Sequence, residues 1–231
     1  MNLPFFYKED ITTTDRSVLL DEDTSKHVVQ VLRMQNGEQL QLTDGKGNAW
    51  AATITDAHRK RTAVQLDAHR YVPPPSQKLT IAISLLKNTT RFEWFLEKAT
   101  EIGVTTIIPL LCTRTEKEHF RYDRMRGILI SAMLQSEQVW MPELQEPTRF
   151  DELVARSFDA TSKLIAHCEE DNKQALTPQS GDTIILIGPT GDFTKEEIVL
   201  AKQQQFLPVT LGNTRLRTET AGIVAAAILK G

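Results

Sequence analysis

Pro73, Pro74 and Pro75 stand in a row, and no regular element can pass through them. Each proline fixes φ at about −65° and lacks an amide donor, so three together break any helix or sheet interior and hold the backbone stiff and extended. Divided there, the 231 residues fall into a small piece, 1–72, and a piece at 73–231 long enough for a full core. The domain boundary is placed at that point. Hydrophobic residues make up 40% and Gly and Pro number only 11 and 10, which excludes collagen-like and disordered chains.

The pattern changes across the prolines. Upstream, strand-like runs at 38–42, 49–55 and 62–66 alternate with turn residues such as Asp44-Gly45-Lys46-Gly47, and predict a small antiparallel barrel. A helix over 25–34 would put Val28, Val31 and Leu32 on one face, closed by Asn36-Gly37. Downstream, strands at 79–86, 106–112, 163–167, 183–187 and 208–211 alternate with helices at 91–102, 122–139, 195–204 and 218–229, the signature of a layered α/β domain. Thr90 with Glu93 and Thr194 with Glu197 have capping-box spacing. Of Trp94 and Phe95, one is expected in the core.

Two strand ends draw attention. Ile184 to Ile187 runs into Gly188-Pro189-Thr190-Gly191-Asp192-Phe193 and then a capped helix. Open α/β sheets bind ligands beyond such carboxyl ends, glycine admits close backbone approach, and a helix start adds partial positive charge. Neither a P-loop nor a dinucleotide fingerprint is present, and an ordinary β–α turn accounts for the residues equally well. The second is Leu211-Gly212-Asn213-Thr214-Arg215-Leu216-Arg217-Thr218-Glu219-Thr220-Ala221. Arginines at the positive end of a helix are unfavourable unless Arg217 meets an anion or a carboxylate; a surface cap is the plain alternative.

Charge and cysteines narrow the class. Lys and Arg number 27 against 30 Asp and Glu, a net −3, so a globally basic nucleic-acid binder is excluded and an anionic partner must be met locally. The basic stretches are 58–61 and 114–126, the latter with Arg114, Lys117, Arg121, Arg124 and Arg126 against Glu116, Glu118 and Asp123. Each also fits a solvated face. Cys112 and Cys168 lie far apart without C-x-x-C spacing, so no disulfide framework or zinc site is expected; both are read as buried and inert, in a reducing cytoplasm. Lys8, Glu9 and Asp10 interrupt the N-terminal apolar run, which rules out a secretory signal, and no run reaches membrane-spanning length.

The pair 187–193 and 211–221, preceded by Lys87-x3-Arg91-x-Glu93, by Lys98-Ala-Thr-Glu-Ile-Gly-Val104 and by His27-x3-Val-Leu-Arg33-x3-Gly37, resembles the RsmE family of SPOUT-class methyltransferases across nearly the whole chain. The resemblance implies a trefoil-knotted α/β methyltransferase domain at 73–231 behind a PUA-like RNA-binding β-barrel at 1–72. It further implies a cytoplasmic homodimer that takes S-adenosylmethionine, without metal or membrane. The implied reaction methylates a uridine at ring nitrogen 3 in small-subunit (16S) ribosomal RNA, naked or assembled.

Carried over by position, Leu186, Gly188, Pro189 and Gly191 would line one side of the cofactor, and Leu211, Gly212, Leu216, Arg217, Thr218 and Ala221 the other. His27, Arg33, Arg91, Arg114, Arg121 and Arg124 would contact RNA. Thr190 stands where the family usually has glutamate and Asp192 where glycine is common; Leu134 and Gln138 replace a glutamate and an arginine. The chemistry asks for a donor to the uracil oxygens, for which Arg217 is the candidate, and a proton acceptor, for which Glu219 is nearest. Glu219 orienting Arg217 or capping the helix fits the sequence as well. An enzyme of this class acting on another RNA, or a non-catalytic RNA-binding assembly protein, would share these motifs.

Overall fold

The computed structural model describes residues 3–116, 119–156 and 158–231; Lys117 and Glu118 of the basic stretch lie outside the described residues. The chain forms two compact units, one of Met1–Pro74 with Met133–Met141 and one of Pro75–Ala132 with Pro142–Gly231.

In the first unit β1 (Phe5–Tyr7), β2 (Ser17–Leu19), β3 (Gln39–Thr43), β4 (Asn48–Asp56) and β5 (Ala63–Tyr71) make one sheet in the order β1-β3-β4-β5-β2. All neighbours run antiparallel except β1, which lies parallel to β3. Alternation decides which face is buried: Leu40, Leu42, Trp50, Ala52, Ile54 and Val64 form the core. Register shifts between Ala51 and Ala52 and between Ile54 and Asp56 bend the strands as bulges do. The Asp44 carboxylate accepts from the amides of Lys46 and Asn48, fixing the expected turn.

The helix expected at 25–34 is displaced. Asp21 caps the start by accepting from the Thr24 amide, so α1 covers Glu22–Lys26 and continues as a π-helical turn, His27–Val31. It cannot reach residue 34, because Arg33 sits at φ 56°. Segment 133–141 joins this unit through Trp140, whose Nε1 donates to the Val72 carbonyl at 2.9 Å.

The second unit is a parallel sheet in the order β11-β13-β10-β12-β6-β7-β8, with β9 also paired to β7. In chain order its elements are β6 (Leu79–Ser84), α2 (Thr89–Ile102), β7 (Thr106–Leu111), α3 (Tyr122–Gln135), β8 (Glu143–Leu144), β9 (Thr148–Arg149), α4 (Phe150–Val154), β10 (Ser162–Ala166), β11 (Gln174–Ala175), β12 (Thr183–Ile187), α5 (Lys195–Gln203), β13 (Leu207–Thr210) and α6 (Thr218–Lys230). The near-continuous apolar runs follow from burial on both faces. Ala82, Ile165, Ile184 and Leu186 pack with Phe150, Leu153, Phe193, Ile198 and Phe206 on the α4 and α5 side. On the other side α2 and α6 pack together and α6 also meets β6.

Two expectations on helix ends are corrected. Asn88, not Thr90, caps α2, accepting from the Thr90 amide at 3.0 Å, while Glu93 faces Arg124. Helix α3 stops at Gln135 instead of 139, where Glu137 takes φ 55°. The Thr194–Glu197 capping box is present as read.

Gly222 sets the approach of α6. A Cβ there would lie 2.6 Å from Phe95 Cε2 and 2.9 Å from Ile83 Cδ1, and both side chains are fully buried. Gly222→Ala should therefore lower unfolding free energy by about 1–3 kcal/mol, outweighing the ~1 kcal/mol gained in helix propensity. Urea denaturation checks the sign.

Candidate functional site

Strand β10 lies between β12 and β13, with Ala166 opposite both Ile187 and Val209. Because the three run parallel, their carboxyl ends come into line, and the chain leaves them as His167-Cys168, Gly188-Pro189 and Leu211-Gly212. A cavity of about 960 Å³ opens there, walled by these ends, the two glycine-led loops and the start of α6. Its position is the one expected for ligands of open α/β sheets.

The first loop is tightly folded. A Cβ on Gly188 would lie 3.0 Å from the Phe193 ring and 3.2 Å from its amide, and Phe193 is fully buried. Asp192 takes φ 65°; its carboxylate accepts from the amides of Cys168 and Phe193 at 2.7 and 2.8 Å. In the second loop Gly212 adopts φ 131° with open space where a Cβ would point. The two loops are joined: the buried Thr218 hydroxyl donates to the Gly188 carbonyl at 2.9 Å.

Charged groups meet on the same wall. Arg217 is the N-cap residue of α6, makes no side-chain cap, and is exposed. Glu219, with a side chain only 10% exposed, lies 3.6 Å from Arg91 Nε. Among the described residues Arg217 has no ion-pair partner. His167 is buried and neither ring nitrogen has a hydrogen-bond partner; Asp171 stands 3.6 Å away. Burial, with a smaller contribution from Lys173, lowers the imidazole pKa below its ordinary 6.5. Lys173 Nζ donates to the carbonyls of His167 and Glu169. Among the described residues no three His, Cys, Asp or Glu side chains converge as metal ligands, and no helix is long and apolar enough to cross a membrane.

The profile of the RNA methyltransferase domain matches residues 73–230 and that of the RNA methyltransferase PUA domain residues 20–67. The ribosomal RNA small subunit methyltransferase E of Synechocystis is 30% identical over 225 residues, covering 92% of this chain and 72% of that protein. This chain belongs to the ribosomal RNA small subunit methyltransferase E family. A crystal structure of the family's Neisseria gonorrhoeae member bound to S-adenosyl methionine superposes with TM-score 0.85 at 28% identity, covering 98% of this chain and 96% of that one. A Porphyromonas gingivalis crystal structure gives TM-score 0.90 at 37% identity, with coverages of 97% and 95%. The PUA-like first domain and α/β methyltransferase domain expected from the sequence are thus those of the family.

Of the family positions carried over by motif, Gly188, Pro189, Gly191, Leu211, Gly212, Leu216, Arg217, Thr218 and Ala221 all line the cavity, as does Glu219, the candidate proton acceptor. Leu186 does not: it points into the α4–α5 core, and its neighbour Ile187 faces the cavity instead, as alternation along a strand requires. The expected RNA contacts divide. Arg91 turns to Glu219, Arg124 binds both oxygens of Glu93, and Arg114 donates to loop carbonyls. Arg121 is exposed, and its guanidinium makes no ion pair among the described residues, although, after Arg124, its charge helps lower the pKa of Glu93. In the first unit His27 and Arg33 are exposed, with the His27 ring edge-on to Phe6 at 5.7 Å.

Sequence reasoning missed the third strand end, His167 to Lys173. Its one signal is the apolar strand at 163–167 itself, which the sequence shows without its neighbours. Cys168, expected to be buried, is exposed on the cavity wall; Cys112 is buried, which pushes its thiol pKa up.

The His167 shift has a pH consequence. The folded state holds the imidazole neutral and binds fewer protons than the unfolded chain, so this contribution is complete above pH 6.5 and is lost as pH falls through the lower folded value. Unfolding free energy should decline as pH falls below about 6.5 and level off below the folded value. His167→Phe should flatten the decline, as read by urea midpoints across pH.

Proposed function

We propose that this chain transfers a methyl group from S-adenosylmethionine to ring nitrogen 3 of a uridine in small-subunit (16S) ribosomal RNA, yielding 3-methyluridine. The observation that carries the reading is that Arg217, without an ion-pair partner among the described residues, and Glu219 both line a cavity walled by two glycine-led loops. The residues fit the cofactor: Ile187, Leu211 and Leu216 offer apolar wall for a nucleoside, loop backbone offers amides and carbonyls, and charged side chains stand at the rim. The bound cofactor supplies a methyl group on a positively charged sulfur that departs as a neutral thioether, so alignment matters more than activation.

The chain's own task lies at the uracil ring. Nitrogen 3 must lose its proton before it can attack, and the charge left behind spreads onto the two flanking oxygens. Glu219 accepts that proton, directly or through one water, while Arg91 holds its carboxylate on the cavity wall. The Arg217 guanidinium donates to the uracil oxygens as they gain charge. His27, Arg33 and Arg121 carry phosphate contacts, the first two from the RNA-binding piece at 1–72. The trefoil knot implied by the family would run through the cofactor loops, and the setting would be cytoplasmic. The active form is a homodimer, supported by the half-buried Ile223, Val224 and Ile228 along α6; light scattering of the full chain should give twice the monomer mass, and a monomer refutes the dimer.

Mass-spectrometric mapping of 16S RNA from cells with and without the gene tests the reaction: 3-methyluridine should vanish with the gene. A methylated site elsewhere points to another RNA, and cofactor-free RNA binding to an assembly protein. Arg217→Ala should lower turnover about a hundredfold with a smaller effect on cofactor affinity, and lysine should rescue poorly because it lacks a planar fork. If Glu219 is the acceptor, the loss in Glu219→Gln shrinks as pH rises and the uridine ionises unaided. A pH-independent loss with lowered thermal stability marks a structural role instead.

A further inference from the structure

We infer that Arg114 is a positioning residue for the cofactor loop: its guanidinium holds residues 188–193 in the shape that receives S-adenosylmethionine. The identity of the ligand rests on the proposed function; the clamp itself rests on geometry.

Arg114 follows β7, in the stretch whose charge suggested RNA contact. Its side chain instead folds over the loop after β12. Nη1 donates to the carbonyl of Gly191 and, at 3.4 Å, to that of Phe193. The stem packs on the same spot, since a Cβ on Gly191 would stand 3.3 Å from Arg114 Cδ. The preceding residue adds a second attachment. Thr113 donates through its amide and hydroxyl to Glu197 Oε1 at 2.7 and 3.0 Å, and the other oxygen of Glu197 accepts from the Thr194 amide at 2.8 Å. Glu197 is buried. Two consecutive residues of the β7 loop therefore grip the cofactor loop at its exposed middle and at its helix-capped end.

The loop needs such a grip. Thr190 and Gly191 are exposed, and Asp192 holds a left-handed φ of 65°, so the middle of the loop has little packing of its own. A ligand that meets a loop already in place loses less free energy to ordering it than one that must order it on binding. Arg114 is drawn to carbonyls on the loop, so its contribution belongs to cofactor binding and not to the reacting atoms.

The test uses the full chain, titrated calorimetrically with S-adenosylmethionine, and a 16S RNA fragment bound across a salt series. Arg114→Ala should raise the cofactor Kd about tenfold and raise KM for the cofactor, leaving turnover at saturating cofactor within about twofold. Arg114→Lys, which keeps a cationic donor but loses the guanidinium's planar geometry, should fall between. The salt slope of RNA binding should not change. An unchanged cofactor Kd in Arg114→Ala overturns the inference, as does a loss confined to RNA affinity with a flattened salt slope. Should the alanine variant be destabilised, the lysine variant decides: weaker cofactor binding at the wild-type urea midpoint supports the clamp, and unchanged binding overturns it. A wild-type chain that binds no cofactor refutes the functional reading first and the inference with it.

Discussion

Strand β10 pairs in parallel with a neighbour on each side, and the site follows from that placement. Parallel ladders hold strands in register without reversing them, so β10, β12 and β13 deliver their carboxyl ends to one edge. β12 is buried along its whole length, as are Leu164 and Ile165 of β10 and Val209 of β13, which leaves the strand ends as the place where this sheet can present polar backbone to a ligand. The Thr218 to Gly188 hydrogen bond then closes one loop against the other across 30 residues of sequence. None of the three ends forms the cavity alone.

Charge is handled locally in a chain of net −3. Arg91, Arg114 and Arg124 are each engaged by Glu219, by loop carbonyls and by Glu93, whereas Arg121 and Arg217 stand without ion-pair partners among the described residues. A guanidinium already satisfied by a carboxylate gains little from phosphate, because the new contact must replace the old one. The basic stretch after β7 therefore contributes to shaping the protein as well as to any field that attracts RNA.

What could be read from the sequence follows how local each signal is. Strands β6, β7, β10, β12 and β13 are legible as apolar runs, whereas the two-residue β8, β9 and β11 write no such run; the start of α5 is legible because its capping box occupies four consecutive residues. The α2 cap was misread since Thr90 and Glu93 have the right spacing, but Asn88 reaches the free amide first and Arg124, far along the chain, claims the carboxylate. Leu186 was placed by motif on the cavity side, and strand alternation turns it to the core. The contribution of His167 to Lys173 was hidden because pairing order decides it: nothing in residues 163–173 records that this strand is flanked by β12 and β13.

Asp192 shows how the loop holds a left-handed residue without glycine. The chain places an aspartate at φ 65°, a conformation that costs an L-residue about 1–2 kcal/mol. The same side chain accepts from the amides of Phe193 and Cys168, the second of which belongs to the neighbouring strand end. Hydrogen bonds to a charged acceptor contribute about 1.5–3 kcal/mol each, less here because Asp192 is half-exposed. Two of them offset the backbone strain. The freedom that glycine would give is replaced by a tie between the β10 and β12 ends, so the loop keeps its path by bonding.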